Sequence, residues 1–582
     1  MKITGLIITA LVLLIACQPK EEVKTQPSPD QSFEEYVDEF MEDWWEVHPL
    51  WAMYNGYYKH DSLLVVNSEE SRKKSESFYQ EKLEALRQFS VDSLNISNKV
   101  DHQILTNQLE GAIWNLKEFK SYQWDASEYN IGGSMAMIIN GNYDTKEKRY
   151  ESLLAKLKDV PAYYEAGKKN LLDPVLEHVQ LAIQQNKGAL SVIDSSLLDT
   201  ISSLGWSSEK QELFANRLSD AQQAVRGFIQ HLEQLEFEGN LENGKSFRIG
   251  KKLFNEKFEY DIVSGFTADE IYEDALKMKA ELHAKMYDLS VELWSKHMKG
   301  EMPKDTLAVI QKVINQLSLV HVHRDSFIQE IRQQIPTLVE FIKEKDLIYI
   351  DPSKPLVVRE TPSYMRGVAG ASITSPGPYE PNANTYYNVT PLDHYSEEEA
   401  ESYLREYNHY ILQILNIHEA IPGHYTQLVY SNQSPSLVKS IFGNGAMIEG
   451  WAVYTERMML EEGYGENAPE MWLMYYKWNL RTVCNTILDY SVHCKDFTKE
   501  QAMDLLVNQA FQQQAEAEGK WRRATLSQVQ LCSYYTGFRD IYELRKEYQK
   551  ANPEASVKQF HEAFLSFGSA PVKFIKPLLL GN

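Results

Sequence analysis

Cysteine is scarce, with four among 582 residues. Cys17 closes the apolar N-terminal segment, which leaves Cys484, Cys494 and Cys532. An odd remainder excludes a disulfide framework as the basis of the fold. Cys484 and Cys494 share one helical stretch that holds them roughly 15 Å apart, too far for a bridge. They read as buried apolar fillers rather than metal ligands. Positive charge is short as well. Lys and Arg number 59 against 82 Asp and Glu, a net charge of −23, so non-specific nucleic-acid binding is excluded. No internal repeat of solenoid length occurs, and no low-complexity segment beyond the N-terminal region.

The N-terminus carries an address. Lys2 precedes an uncharged run, Ile3 to Ala16, too short to span a bilayer stably and suited to a signal-peptide core. Its end, Leu14-Ile15-Ala16-Cys17, resembles a bacterial lipobox. In that class the chain is cleaved before the cysteine, which is then acylated into a durable membrane anchor. The alternative is ordinary cleavage with Cys17 incidental. Residues 1–17 are therefore expected to be a lipoprotein signal peptide and 18–33 a flexible polar tether. The expected location is the cell envelope, lipid-anchored on the periplasmic leaflet or the outer surface. Lys20-Glu21-Glu22 resembles a signal for the latter.

From residue 34 to 582 helical periodicity dominates. Leu153, Leu154, Leu157, Val160 and Tyr164 repeat at three- and four-residue steps, and Pro161 predicts a kink. Similar patterns cover 34–46, 69–92, 207–234, 267–298, 305–345, 467–494 and 498–515. Residues 346–395 break the pattern. Leu356–Glu360 and Thr385–Val389 are strand-like runs separated by glycine and proline, which predicts a small sheet near 350–390. The expected fold is mainly α, a large bundle-like body with one small sheet and a division into two lobes near 350. Ser396 is the N-cap candidate for the next helix, with Glu397 to Glu399 in its first turn. The edge of the strand before it can take an extended peptide through main-chain hydrogen bonds.

The segment His418-Glu419-Ala420-Ile421-Pro422-Gly423-His424 lacks the ordinary helical zinc motif, whose histidines are four apart. A spacing of six turns the second histidine about 120° away and roughly 9 Å along an ideal helix. One metal can be shared only if the helix is interrupted. Pro422 and Gly423 supply the means, since proline cannot donate to the His418 carbonyl and glycine tolerates unusual dihedrals. The competing reading is a helix with two exposed or core histidines. A second segment, Glu449-Gly450-Trp451-Ala452-Val453-Tyr454-Thr455-Glu456, places two carboxylates on one face among Met, Trp and Tyr. Such carboxylates are costly to bury unless paired or metal-bound. Glu449 suits a third zinc ligand, leaving a position for water. Glu456 suits a partner holding a ligand histidine, or a surface ion pair with Arg457.

With both segments in view, the chain resembles the bacterial domain-of-unknown-function 885 family over about 34–577. The motifs are His418-Glu419…Pro422-Gly423-His424 and Glu449-Gly450-Trp451-Ala452…Tyr454…Glu456. Glu360-Thr361-Pro362, Tyr387-Asn388-Val389, Asp489…His493 and Phe560-His561…Gly568-Ser569…Pro571 also match. Departures are Gln528-Val529-Gln530, where many members have Pro-Gly-Gln, and Asn485, where many have arginine. The family is similar in architecture to gluzincin peptidases. That implies a helical body with a deep cleft, holding Zn2+ through His418, His424 and Glu449. It implies hydrolysis of a peptide substrate, with Glu419 as the general base. Tyr534 and His493 are candidate oxyanion donors, the latter oriented by Asp489. Each has a structural alternative: Tyr534 as a core aromatic, Asp489–His493 as a structural pair. Arg523 and Arg481 are candidates for a substrate carboxylate, and Asn388 for substrate contact. Two other functions stay open: a zinc hydrolase of non-peptide amides or esters, and a non-catalytic peptide-binding lipoprotein. Oligomeric state is left open.

Overall fold

The computed structural model describes residues 27–581 apart from 238–240, 242–243, 363–369 and 381–382. The signal segment, Cys17 and tether residues up to 26 lie outside the described residues. The body is mainly α, as the periodicity implies. Its first helix, Pro29–Val47, begins inside the stretch read as tether. Ser28 caps it, accepting from the Gln31 N–H at 3.2 Å, while the Gln31 side chain accepts from the Ser28 N–H at 3.0 Å. Pro29 costs nothing at the first helical position, where an N–H has no partner in the helix. Phe33 is fully buried and pins the helix down. A polar Ser-Pro run thus proves to be a capping box.

Elsewhere prolines and turns subdivide the long periodic stretches. The stripe from Leu153 to Tyr164 is buried throughout but belongs to two helices, Lys146–Leu157 and Val160–Asn170. Pro161 falls in the first turn of the second, so the expected kink is a break. The 305–345 pattern divides into Thr306–Leu317 and Phe327–Lys345. That of 498–515 stops at Met503, passes through a wider π turn, and gives way to Gln514–Leu526. Cys484 and Cys532 are buried free thiols, and Cys494 is a half-buried one.

Near residue 350, where a division into two lobes is expected, the apolar core is continuous. Helices from both sides of that point share one apolar core, with Ala268–His297 packed on Pro469–Cys494. A second core is built from residues between Ala126 and Leu241, joined by Met53. This second core belongs to an N-terminal helical segment. Its residues bury their apolar faces against each other rather than against the site-bearing helices.

Three strands form the sheet: β1 Leu356–Glu360, β2 Ala371–Thr374 and β3 Thr385–Val389. Their order is β1-β3-β2, with β1 parallel and β2 antiparallel to β3. This corrects the expectation for β3. It is the central strand, so both of its edges are already paired and neither can accept a peptide. β2 lies in the glycine- and proline-containing stretch read as breakers. Ser396 caps the next helix, Glu397–Glu406, in a full capping box with Glu399.

Candidate metal centre

The helix His409–Glu419 is capped by Asn408 and buries Ile411, Leu415 and Ile417. It stops at Glu419, one residue after His418. Ala420 to Gly423 then turn sharply, with a cis bond between Ile421 and Pro422, and His424 opens a new helix, His424–Asn432. The Gly423 N–H donates back to the Ile417 carbonyl at 3.0 Å. A Cβ at Gly423 would lie 1.9 Å from the His418 carbonyl oxygen, so only glycine fits this fold-back. Trp451 clamps the turn by donating from Nε1 to the Pro422 carbonyl at 2.9 Å. The interruption required by the six-residue spacing is present, and it brings the two imidazoles to 4.7 Å between ring centroids.

Glu449 comes from Gly445–Glu461, a helix capped by Asn444. Its Oε2 lies 3.3 Å from His424 Nε2 and 3.7 Å from His418 Nε2. Ligand atoms at about 2.0–2.2 Å from one tetrahedral ion stand about 3.3–3.6 Å apart. Both separations are close to that spacing. Glu449 Oε2 is buried with no hydrogen-bond partner among the described residues, as expected of an atom that belongs to a ligand set. The three side chains are only 9, 13 and 21 % exposed. Among the described residues they form the one cluster with metal-ligating geometry.

Glu456 lies two turns after Glu449 and is fully buried. Its Oε1 accepts from His418 Nδ1 at 2.7 Å and from Trp478 Nε1 at 2.9 Å. Those bonds fix the His418 tautomer so that Nε2 faces the cluster. The surface pairing with Arg457 is not made, because Arg457 pairs with Glu461 instead. Burial alone would lower the His418 pKa, but Glu449 and Glu456 outweigh it and raise the group to about 10. Burial pushes Glu419 up, opposed by the His424 and His418 charges. Its carboxylate makes no hydrogen bond to a described residue, which leaves it available to a water or substrate.

Tyr534 stands on Cys532–Ala551, which crosses Gly445–Glu461 where Gly450 meets Gly537. A Cβ at Gly537 would be 1.7 Å from the Ala446 carbonyl oxygen, so the two backbones touch. Tyr534, one turn before Gly537, is brought within reach of the Glu449 charge. Burial and that charge push its phenol up to about 12, keeping it a donor at neutral pH. Arg523 donates to the Tyr534 hydroxyl at 3.0 Å and to Gln530 at 2.6 Å. Arg481 is committed to Glu516 at 2.5 Å and stacks on Trp478.

Two expected site residues serve elsewhere. His493 is buried against Phe254, with Nε2 at 3.0 and 3.1 Å from the Ala524 and Ser527 carbonyls. Asp489, beside it, accepts from the Val529 and Leu531 N–H groups. The pair holds the loop leading to Tyr534, so His493 is not an oxyanion donor. Asn388 is fully buried in the sheet. It accepts from Arg359 at 2.7 Å and donates to Thr374 at 2.8 Å, spending its amide on neighbouring strands instead of on substrate. Trp478 and Lys520 escaped sequence reasoning. Only the tertiary fold brings them to the motif residues.

The chain is similar in sequence and fold to other bacterial proteins. The family described as "Bacterial protein of unknown function (DUF885)" matches residues 49–579. A candidate lipoprotein of unknown function from Shewanella oneidensis has 51% identity and a TM-score of 0.88, over 94% of this chain and 99% of that one. One from Colwellia psychrerythraea has 18% identity and a TM-score of 0.76, over 95% and 98%, and shares the fold. No curated protein matches. By the extent of these matches and its two motifs, the chain belongs to the bacterial DUF885 family of unknown function.

Proposed function

We propose that this chain is a zinc-dependent hydrolase of peptide bonds, anchored to the cell envelope through Cys17. One observation carries the reading. Two Nε2 atoms converge on an unpartnered, buried Glu449 oxygen, and Glu456 locks one of the rings from behind. A bound Zn2+ supplies a water of lowered pKa and polarises a carbonyl. Glu419, the residue after His418, is placed to accept a proton from an attacking water and return it to the leaving amine. Tyr534 donates to the developing oxyanion, and Arg523 orients its hydroxyl. The lipid anchor is supported by the lipobox-like end of the signal segment and by the candidate lipoproteins among the relatives. No helix among the described residues is long and apolar enough to cross a membrane.

The test is metal content by mass spectrometry together with peptide hydrolysis, in the parent and in Glu419→Gln. The reading expects about one zinc per chain in both, with hydrolysis abolished in the variant. Undiminished hydrolysis in the variant sinks Glu419 as the base. Absence of zinc from protein folded in its presence sinks the centre itself.

A further inference from the structure

Lys520 is 6 % exposed, yet among the described residues it makes no hydrogen bond and no close ion pair. A largely buried lysine whose amine has no close partner is expensive and needs a reason. Its helix, Gln514–Leu526, carries Glu516, Lys520 and Arg523 at steps of four and three, on one face. That face looks toward the metal centre. Arg523 reaches Tyr534, and Glu516 is consumed by Arg481 at 2.5 Å. The charges around the Lys520 ammonium are those of Arg481, Glu516, Arg523 and Glu449. The Lys520 amine thus has two cations and two carboxylates around it, and one of those carboxylates, Glu516, is already paired with Arg481.

Resting on the hydrolase reading above, we infer that Lys520, assisted by Arg523, binds a carboxylate of the substrate, either its chain-terminal carboxylate or an acidic side chain. The buried ammonium then gains the counter-charge the fold withholds. Arg481, tied to Glu516, positions that face rather than binding the ligand. Burial, with the Arg481 charge, holds Lys520 well below the usual lysine range, and a bound anion offsets that cost.

The test uses zinc-loaded, full-length Glu419→Gln protein and isothermal titration calorimetry. The probes are trialanine, trialanine amide, and the amide of Ala-Ala-Asp. The proposal expects trialanine to bind about 10- to 100-fold tighter than its amide, the worth of one charge-assisted hydrogen bond. Lys520→Met, near in size and apolar, should fold and erase that difference, while Lys520→Arg restores part of it. Tight binding of the Asp-containing amide alone assigns the site to an acidic side chain. The parent's preference needs no variant to be seen, so misfolding of Lys520→Met leaves the proposal testable. Equal affinity for all three probes overturns the carboxylate site and leaves the hydrolase reading standing. Binding of none overturns both.

Discussion

Replacing Glu456 by glutamine separates the electronic role of this residue from its packing. Its Oε1 receives both the His418 and the Trp478 N–H, and its Oε2 is buried with no partner. A glutamine can therefore keep its carbonyl oxygen on the two donors and place its NH2 where Oε2 already lacked one. Shape and volume are retained, and one buried charge disappears. The lost charge weakens His418 as a ligand. Removing such a supporting carboxylate costs about 10- to 100-fold in metal affinity, or about 1.4–2.7 kcal/mol. The metal-free protein should lose stability, since the change removes the buried counter-charge paired with His418. Chelator competition measures the zinc affinity, and thermal unfolding of the metal-free forms measures the rest. Affinity unchanged within twofold would refute the reasoning that Glu456 acts through His418.

Other expectations follow from the geometry. Gly537→Ala drives a Cβ into the Ala446 carbonyl, so the two helices must part. A loss of about 1–3 kcal/mol in chemical denaturation is expected, with activity falling further than zinc content. Tyr534→Phe should keep its zinc while kcat drops about 10²- to 10³-fold, and an unchanged kcat removes Tyr534 as oxyanion donor. His561 is fully buried between the Tyr454 hydroxyl and the Leu347 carbonyl, and burial lowers it from 6.5 to about 3. Its neutral form contributes stability that is fully present above pH 6.5 and is lost as pH falls toward 3. The loss is about 3 kcal/mol between pH 7 and pH 4. His561→Phe should flatten that acid limb in denaturation midpoints, and an unaltered pH slope would count against it.

Local chemistry decided much of this protein before any folding. The six-residue spacing of His418 and His424, with Pro422-Gly423 between, demands a broken turn, because an unbroken helix points the rings apart. The strand runs Leu356–Glu360 and Thr385–Val389 and the Ser396 cap are legible for the same reason. Each depends on residues within a few positions of one another. The tertiary structure decided what depends on neighbours distant in sequence. Whether β3 is an edge or a centre depends on which strand pairs with it, so Asn388 reads as a substrate contact in sequence and proves a sheet staple. Asp489 and His493 share a helical face, but only the fold shows that this face meets the loop from Ala524 to Leu531. The boundary between cores at 126–241 reflects which apolar faces meet, and no composition shift near 350 records it. Trp478 reaches the centre because Pro469–Cys494 packs against the helices of His418 and Glu449, and Lys520 because Gln514–Leu526 packs on Pro469–Cys494 in turn. Spacing along the chain thus specified the broken turn that gathers His418 and His424, and long-range packing specified which side chains surround them.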